Sequence, residues 1–358
     1  MTFRHNKNLT GVGPPVYHHT MRYGRLIIVL ALLGGIYAYK SSSDALAACP
    51  ANDGSAGAPG GTPQLPALLN GYMTTLHALG CKVAGVDYYV GIPSGTFLMD
   101  WQSIIQTGVS VDSSTSVVTI TADNVTLSGV DFSLHGGAQL VFAGNNDTVQ
   151  NSKFVIGTNN LTPIQSNNPG NFNSTVQFST INGNQLDGNQ QTLFLNTNNF
   201  YYNDICCAGY DVWDYGLPLN IKYNLVRNTG TTFGAHSDWV QLGSGPWTTH
   251  IDFNTFYQDG TTFPNMGTQG VIIAGFSCPC SFTGEVNYNT IISKPNGHVN
   301  VLIYVDNLQI IGSFSVLDNY MVQQSGRFFG KAGAPVVVTG NRDMTTGCAI
   351  NYNNTKRC

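Results

Sequence analysis

Two short strings hold most of the residues that could do chemistry: Asp211-Val-Trp-Asp-Tyr-Gly216 and His236-Ser-Asp238-Trp-Val-Gln241. Aligned by the small or polar residue that ends each apolar run, Asp211 falls under Asp238 and Asp214 under Gln241. On neighbouring parallel strands the two aspartate Cα atoms would stand about 5 Å apart. Like charges that close raise one pKa, which makes an acid and a base from one residue type. His236, at the mouth of the second strand, adds a group that titrates near neutrality. Asp211, Asp214, His236 and Asp238 are therefore the candidate catalytic set. Trp213, Tyr215, Trp239 and Trp247 lie beside them, and exposed rings suit stacking on sugars; with Gln241 they form the candidate substrate contacts. The structural alternative is that Asp and His cap turns while Trp fills the core.

A second constellation is sparser. Lys222 and Asp252 occupy the same position in successive repeats, most simply as a cross-strand pair on an outer face. The sharper reading makes Lys222 a substrate contact or proton-abstracting base. Arg227 lies just beyond and could neutralise a uronate carboxylate. Glu285 is the only glutamate, with no other catalytic group evident around it, and His250 and His298 read as structural. Cys278-Pro-Cys280 is too tightly spaced for a usual zinc site, and no histidine pair accompanies it.

What must position these residues is a repeat. An apolar residue, any residue, an aromatic or apolar one, then Asn or Ser, any residue and another apolar one recurs along the chain. It reads Val176-Gln-Phe-Ser179-Thr-Ile181, Phe200-Tyr-Tyr-Asn203-Asp-Ile205, Ile221-Lys-Tyr-Asn224-Leu-Val226, Ile251-Asp-Phe-Asn254-Thr-Phe256 and Val286-Asn-Tyr-Asn289-Thr-Ile291. Val125-Thr-Leu-Ser128-Gly-Val130 is read as an earlier copy, and weaker copies centre on Ser152, Asn319 and Asn341. The spacing is irregular and mostly in the twenties, which suits stacked coils with insertions rather than propeller blades of about 40 residues or more. The alternating apolar positions face a shared core, and the polar marker sits where the chain bends. Its amide can bond the same position one coil away.

This pattern resembles the pectate-lyase-like superfamily of right-handed parallel β-helices, which carry such asparagine ladders. The resemblance covers about residues 96–345. It implies an all-β solenoid of about nine or more coils, and it makes calcium a candidate ligand, although no dense aspartate cluster demands it. The string His236-x-Asp238-x-Val-Gln241 is similar to a strand found in several carbohydrate-acting β-helix proteins. The motif set of the polygalacturonases and the arginine signature of the pectate lyases are missing. Residues 66–79, with Leu68, Leu69, Tyr72, Leu76 and Leu79 at helical spacing, read as a short N-terminal capping helix over the open end. Val86 to Thr96 reads as the entry into the first coil, and the tail 346–358 as the cover of the other end.

Composition agrees. Only 9% of residues are charged, and 41 of 358 are glycine. Such a chain favours short strands and tight turns over helices. No basic stripe is present, which argues against nucleic acid as a partner. Arg22 and Arg25 precede the apolar run Leu26 to Ala38 and then Ala45-Leu-Ala47, the layout of a secretory signal over residues 1–48. Left uncleaved, that segment would be the one route to a membrane. Residues 49–95 then form linker and cap. All eight cysteines follow the signal, an even count that suits disulfides in an exported chain. The expected protein is a secreted or envelope β-helix that acts on polysaccharide, as hydrolase or lyase, in a groove on its flank. The alternative is a non-catalytic glycan-binding or structural rod.

Overall fold

A computed structural model describes residues 83–167, 173–184, 192–209, 212–214, 219–229, 236–242, 247–258, 267–274, 282–294, 299–306, 310–324, 326–330 and 336–358. The expected signal at 1–48 and the expected capping helix at 66–79 lie outside these residues, as do Asp211 and Tyr215. Among the described residues there is no α-helix, only strands and two short 3-10 turns.

The strands form three long sheets, which we name A, B and C in the order a single coil visits them. One coil shows the plan. His236–Leu242 lies in sheet A, Trp247–Asp252 in sheet B and Thr255–Gln258 in sheet C, and the chain returns to sheet A at Gly267–Ile273. Each of these strands pairs in parallel with its counterpart in the next coil. The result is a solenoid of stacked coils, compatible with a parallel β-helix.

Alternation fills the interior. Sheet A stacks Ile164, Phe194, Trp213, Val240, Val271, Ile303 and Phe329 in one row. Sheet B stacks Val149, Val176, Phe200, Ile221, Ile251 and Val286, and sheet C stacks Ile181, Ile205, Val226, Phe256, Ile291 and Met321. All these side chains are buried in one continuous core. Each buried aliphatic or aromatic side chain is worth about 1.5–3 kcal/mol against exposure, so repetition along the stack supplies the stability.

The corner between sheets B and C carries the polar ladder. Asn203, Asn224, Asn254, Asn289 and Asn319 each donate from both backbone N and Nδ2 to the Oδ1 of the asparagine one coil on, at 2.9–3.0 Å, ending at Asn341. Ser152 and Ser179 continue it with shorter hydroxyls. One rung differs from the sequence alignment. Ser128 pairs with Gln150 inside sheet B, and the rung position of that coil is Val130, whose N–H donates to Ser152 Oγ. A slip of two residues keeps every side chain on its own face, so apolar pattern alone does not detect it.

The residue before each rung is left-handed: Gly129, Asn151, Phe178, Tyr202, Tyr223, Phe253, Tyr288, Asp318 and Gly340. Aromatic residues are uncommon there. Five of them stack, Phe178 to Tyr288, with near-parallel rings 4.9–5.1 Å apart. Such contacts are worth about 0.5–1.5 kcal/mol each and offset the backbone cost.

Residues 84–92 do more than enter the first coil. They cross the outside of this corner as a strap, from Thr255 Oγ1 on the Ala84 carbonyl to Ile92 N on Thr180 Oγ1. Tyr88 packs edge-on against Tyr202 and Tyr223 and donates to the Phe253 carbonyl at 2.9 Å. At the far end, Ala349–Ile350 and Lys356–Arg357 extend sheet C as antiparallel strands, joined by the Cys348–Cys358 disulfide. Asn354 bonds both N and O of Phe329, which covers the end of sheet A.

Candidate functional site

The outer face of sheet B carries the densest set of titratable groups among the described residues. In three successive strands an apolar residue points inward between two polar ones: Asn220-Ile-Lys222, His250-Ile-Asp252 and Glu285-Val-Asn287. Parallel register sets Asn220, His250, Glu285 and Ser315 in one row, and Lys222, Asp252 and Asn287 in the next. Residues 30 to 35 apart in sequence thereby become neighbours about 4.8 Å apart. Gly284 shapes the approach. Its φ is +127°, and a Cβ there would run into the Thr249 carbonyl oxygen. The register of the next strand shifts at this point, between Phe282 and Gly284.

Within the cluster, Glu285 Oε1 lies 2.7 Å from His250 Nδ1, and Glu285 Oε2 accepts from Asn287 Nδ2 at 2.9 Å. Asn287 is itself held by Leu317 N, which donates to its Oδ1 at 2.8 Å. Lys222 Nζ is 3.0 Å from Asp252 Oδ2, and Asn287 N donates to Asp252 Oδ1 at 3.3 Å. Asp252 is 3% exposed, while the side chains of His250 and Glu285 keep 37% and 34% of their surface. Burial pushes the Asp252 carboxyl up to about 6; Lys222 pulls it down and Glu285 pushes it further up. One carboxylate is thus buried and readily protonated, and the other is open to solvent with its oxygens positioned by two donors.

The donor atoms of His250, Asp252 and Glu285 lie within 4.8 Å of one another, so these residues could hold a divalent ion. The Lys222 ammonium already supplies a positive charge there. Three ligands, one of them an imidazole nitrogen, are also far from the six to eight oxygens that calcium takes.

The residues expected to act are placed differently. Asp214 does lie opposite Gln241, and Trp213 opposite Val240, in the expected register. His236 is opposite Gly267 and Asp238 opposite Gln269. Asp238 is fully buried and Gln241 half-buried. Trp213 and Trp239 are interior, stacked on Phe194 and Phe256, so the expectation of exposed rings is corrected at both positions. Trp247 opens a sheet B strand opposite Phe282. Lys222 is engaged by Asp252, as the cross-strand reading expects. Arg227 is held by both oxygens of Asp204, at 2.7 and 3.0 Å, and its charge is spent within the fold.

Reading His250 as isolated and Glu285 as without catalytic neighbours is corrected by the sheet B rows. The signal was one residue outside the repeat as aligned: the position just before the first apolar residue is Asn220, His250 and then Glu285 in consecutive copies. No family model, curated protein or solved structure matches this chain.

Proposed function

We propose that this is an exported polysaccharide-active protein, a glycoside hydrolase whose working groups are Asp252 and Glu285 on the outer face of sheet B. The observation that carries the reading is the pairing of a buried carboxyl raised to about 6 with a second, half-exposed carboxylate whose nearest ligand oxygen is within 4.8 Å. Carboxyl groups about 5–5.5 Å apart suit hydrolysis with retention. Asp252 then protonates the leaving glycosidic oxygen while Glu285 attacks the anomeric carbon and forms a glycosyl ester. Water, giving its proton to Asp252, attacks that carbon in the second step and releases Glu285. His250 and Asn287 orient the nucleophile, and Lys222 balances the charge that Asp252 carries after proton transfer.

The same reading includes a right-handed coil and kinship with the pectate-lyase-like superfamily. Support comes from the asparagine ladder and from the near-universal right-handedness of parallel crossovers. Export is supported by the Cys206–Cys207 and Cys348–Cys358 disulfides together with the signal-like N-terminus.

Release of reducing ends from a panel of polysaccharides tests the proposal. Glu285→Gln and Asp252→Asn should each lower turnover on the order of a hundredfold to ten-thousandfold. Glu285→Gln should leave the melting temperature nearly unchanged, because Glu285 and His250 are both part-exposed and glutamine keeps an oxygen that can accept from Asn287. Glycan binding without turnover in the unaltered protein would replace the enzyme with a binding rod. Products with unsaturated uronate absorbance would replace hydrolysis with elimination.

A further inference from the structure

The charge distribution of the middle coils bears on which polymer this face accepts. From 150 to 293 the chain contains three basic residues, Lys153, Lys222 and Arg227, against eight acidic ones. All three bases are held by aspartates, Lys153 by Asp131, Lys222 by Asp252 and Arg227 by Asp204. The sequence segments that lead from sheet A into sheet B around the cluster, 215–218, 243–246, 275–281 and 307–309, contain no charged residue at all. An anionic polymer would therefore meet no uncommitted lysine or arginine from this stretch, and at the cluster it would meet the part-exposed Glu285 carboxylate, a mismatch that discourages association.

What the face offers instead is hydroxyls and amides in line. Toward the N-terminal coils the two rows of the cluster continue as Asn220, Asn199 and Thr175, and as Tyr201, Gln177 and Gln150. These side chains bond along the stack: Asn220 Nδ2 donates to Asn199 Oδ1 at 2.7 Å, and Gln177 Nε2 donates to Gln150 Oε1 at 2.9 Å. An amide has two donor hydrogens and an oxygen with two lone pairs, so the single bond from Gln177 to Gln150 leaves capacity for a ligand, whereas Asn199, bonded to Ser174, Thr175, Tyr201 and Asn220, serves as a buried support for its row. Most of these side chains are half-buried, so their faces are reachable while their rotamers are held. The contact points repeat at the strand spacing of about 4.8 Å, which suits a polymer laid along the solenoid rather than across it.

Resting on the hydrolase reading above, we infer that the substrate is an uncharged polysaccharide that lies along sheet B, held by the amide and hydroxyl rows from Gln150 to Asn220 with its scissile bond at Asp252 and Glu285. Specificity then comes from hydroxyl hydrogen bonds and not from ion pairing.

The test compares an uncharged glucan or xylan, polygalacturonate and chitosan as substrates for the full mature protein, each with Glu285→Gln as control. The expected result is Glu285-dependent cleavage of an uncharged polymer, with a KM insensitive to added salt. The double variant Gln177→Ala, Tyr201→Ala should raise KM for long oligomers roughly tenfold, the equivalent of about 1.4 kcal/mol. The rise in KM should grow with oligomer length, a length dependence that a general loss of structure would not produce. Glu285-dependent cleavage of polygalacturonate or chitosan alone overturns the uncharged substrate but keeps the hydrolase. Cleavage of the uncharged polymer with an unchanged KM in the double variant overturns the track. Absence of Glu285-dependent turnover on all three removes the underlying reading and this inference with it.

Discussion

The corner ladder and the outer face of sheet B lie side by side on the same strands and obey opposite rules. At the corner, one residue type repeats from Asn203 to Asn341, every amide is buried, and each bonds the next in the same geometry. Two residues earlier on the same chain, the row reads Tyr201, Lys222, Asp252 and Asn287 and changes at every step. A stack of coils presents each position many times, so structure calls for sameness: every coil has the same bend to satisfy. Chemistry needs a difference at one place. Where a row of a solenoid stops repeating and its titratable groups converge, the row has been released from supporting the fold.

Three measurements bear on that contrast, in descending size of effect. Asn319→Ala removes a fully buried side chain that accepts from Asn289 N and Nδ2 and donates to the Val286 carbonyl and Asn341 Oδ1. Leaving such groups without partners should cost about 3–5 kcal/mol in chemical denaturation. A loss under about 1 kcal/mol would show that the ladder is dispensable and would dissolve the contrast.

Next is the pH dependence that comes from Asp252. Its pKa is raised from 3.8 to about 6 in the folded protein, chiefly by burial, so the native state binds this proton more tightly than the unfolded chain does. The contribution is fully present below pH 3.8 and is lost as pH rises through about 6. At full size it amounts to about 3 kcal/mol. The difference in stability between the parent and Asp252→Asn should therefore shift in favour of the variant between about pH 4 and pH 6 and level off above. A difference independent of pH across that window would show that Asp252 is an ordinary paired carboxylate, no different in kind from a structural row.

The smallest effect concerns the aromatic stack beneath the strap. Tyr223→Leu loses stacked contacts with Tyr202 and Phe253 and the edge contact of Tyr88. A cost of about 2 kcal/mol follows from those ring pairs. Faster proteolysis within 83–92 should accompany it, because the strap loses part of its seat. An unchanged cleavage rate would show that the strap is held by its backbone bonds alone.

Most of the coil plan was legible in the sequence because its signals are local. The step from Asn203 to Asn341 could be read because an amide always sits at one offset from an alternating apolar pair. The alignment of Asp214 with Gln241 could be read because both strands end on similar residues. The rung at Val130 is not legible in the sequence because a shift of two from Ser128 leaves inside and outside unchanged. Trp213 and Trp239 are ambiguous in the sequence because a tryptophan fits either face of a strand, and only the neighbouring coils show which face is closed.

The sequence by itself determined that short alternating strands repeat with a polar marker at a fixed offset, a pattern that stacked coils satisfy by bonding each marker to the next. It also determined that the middle coils are poor in cations, since that is a matter of composition. Only the tertiary structure decided that His250, Asp252 and Glu285 meet. Their meeting depends on loop lengths that differ from coil to coil yet return each strand to the same register, and that register is set by hydrogen bonds between coils.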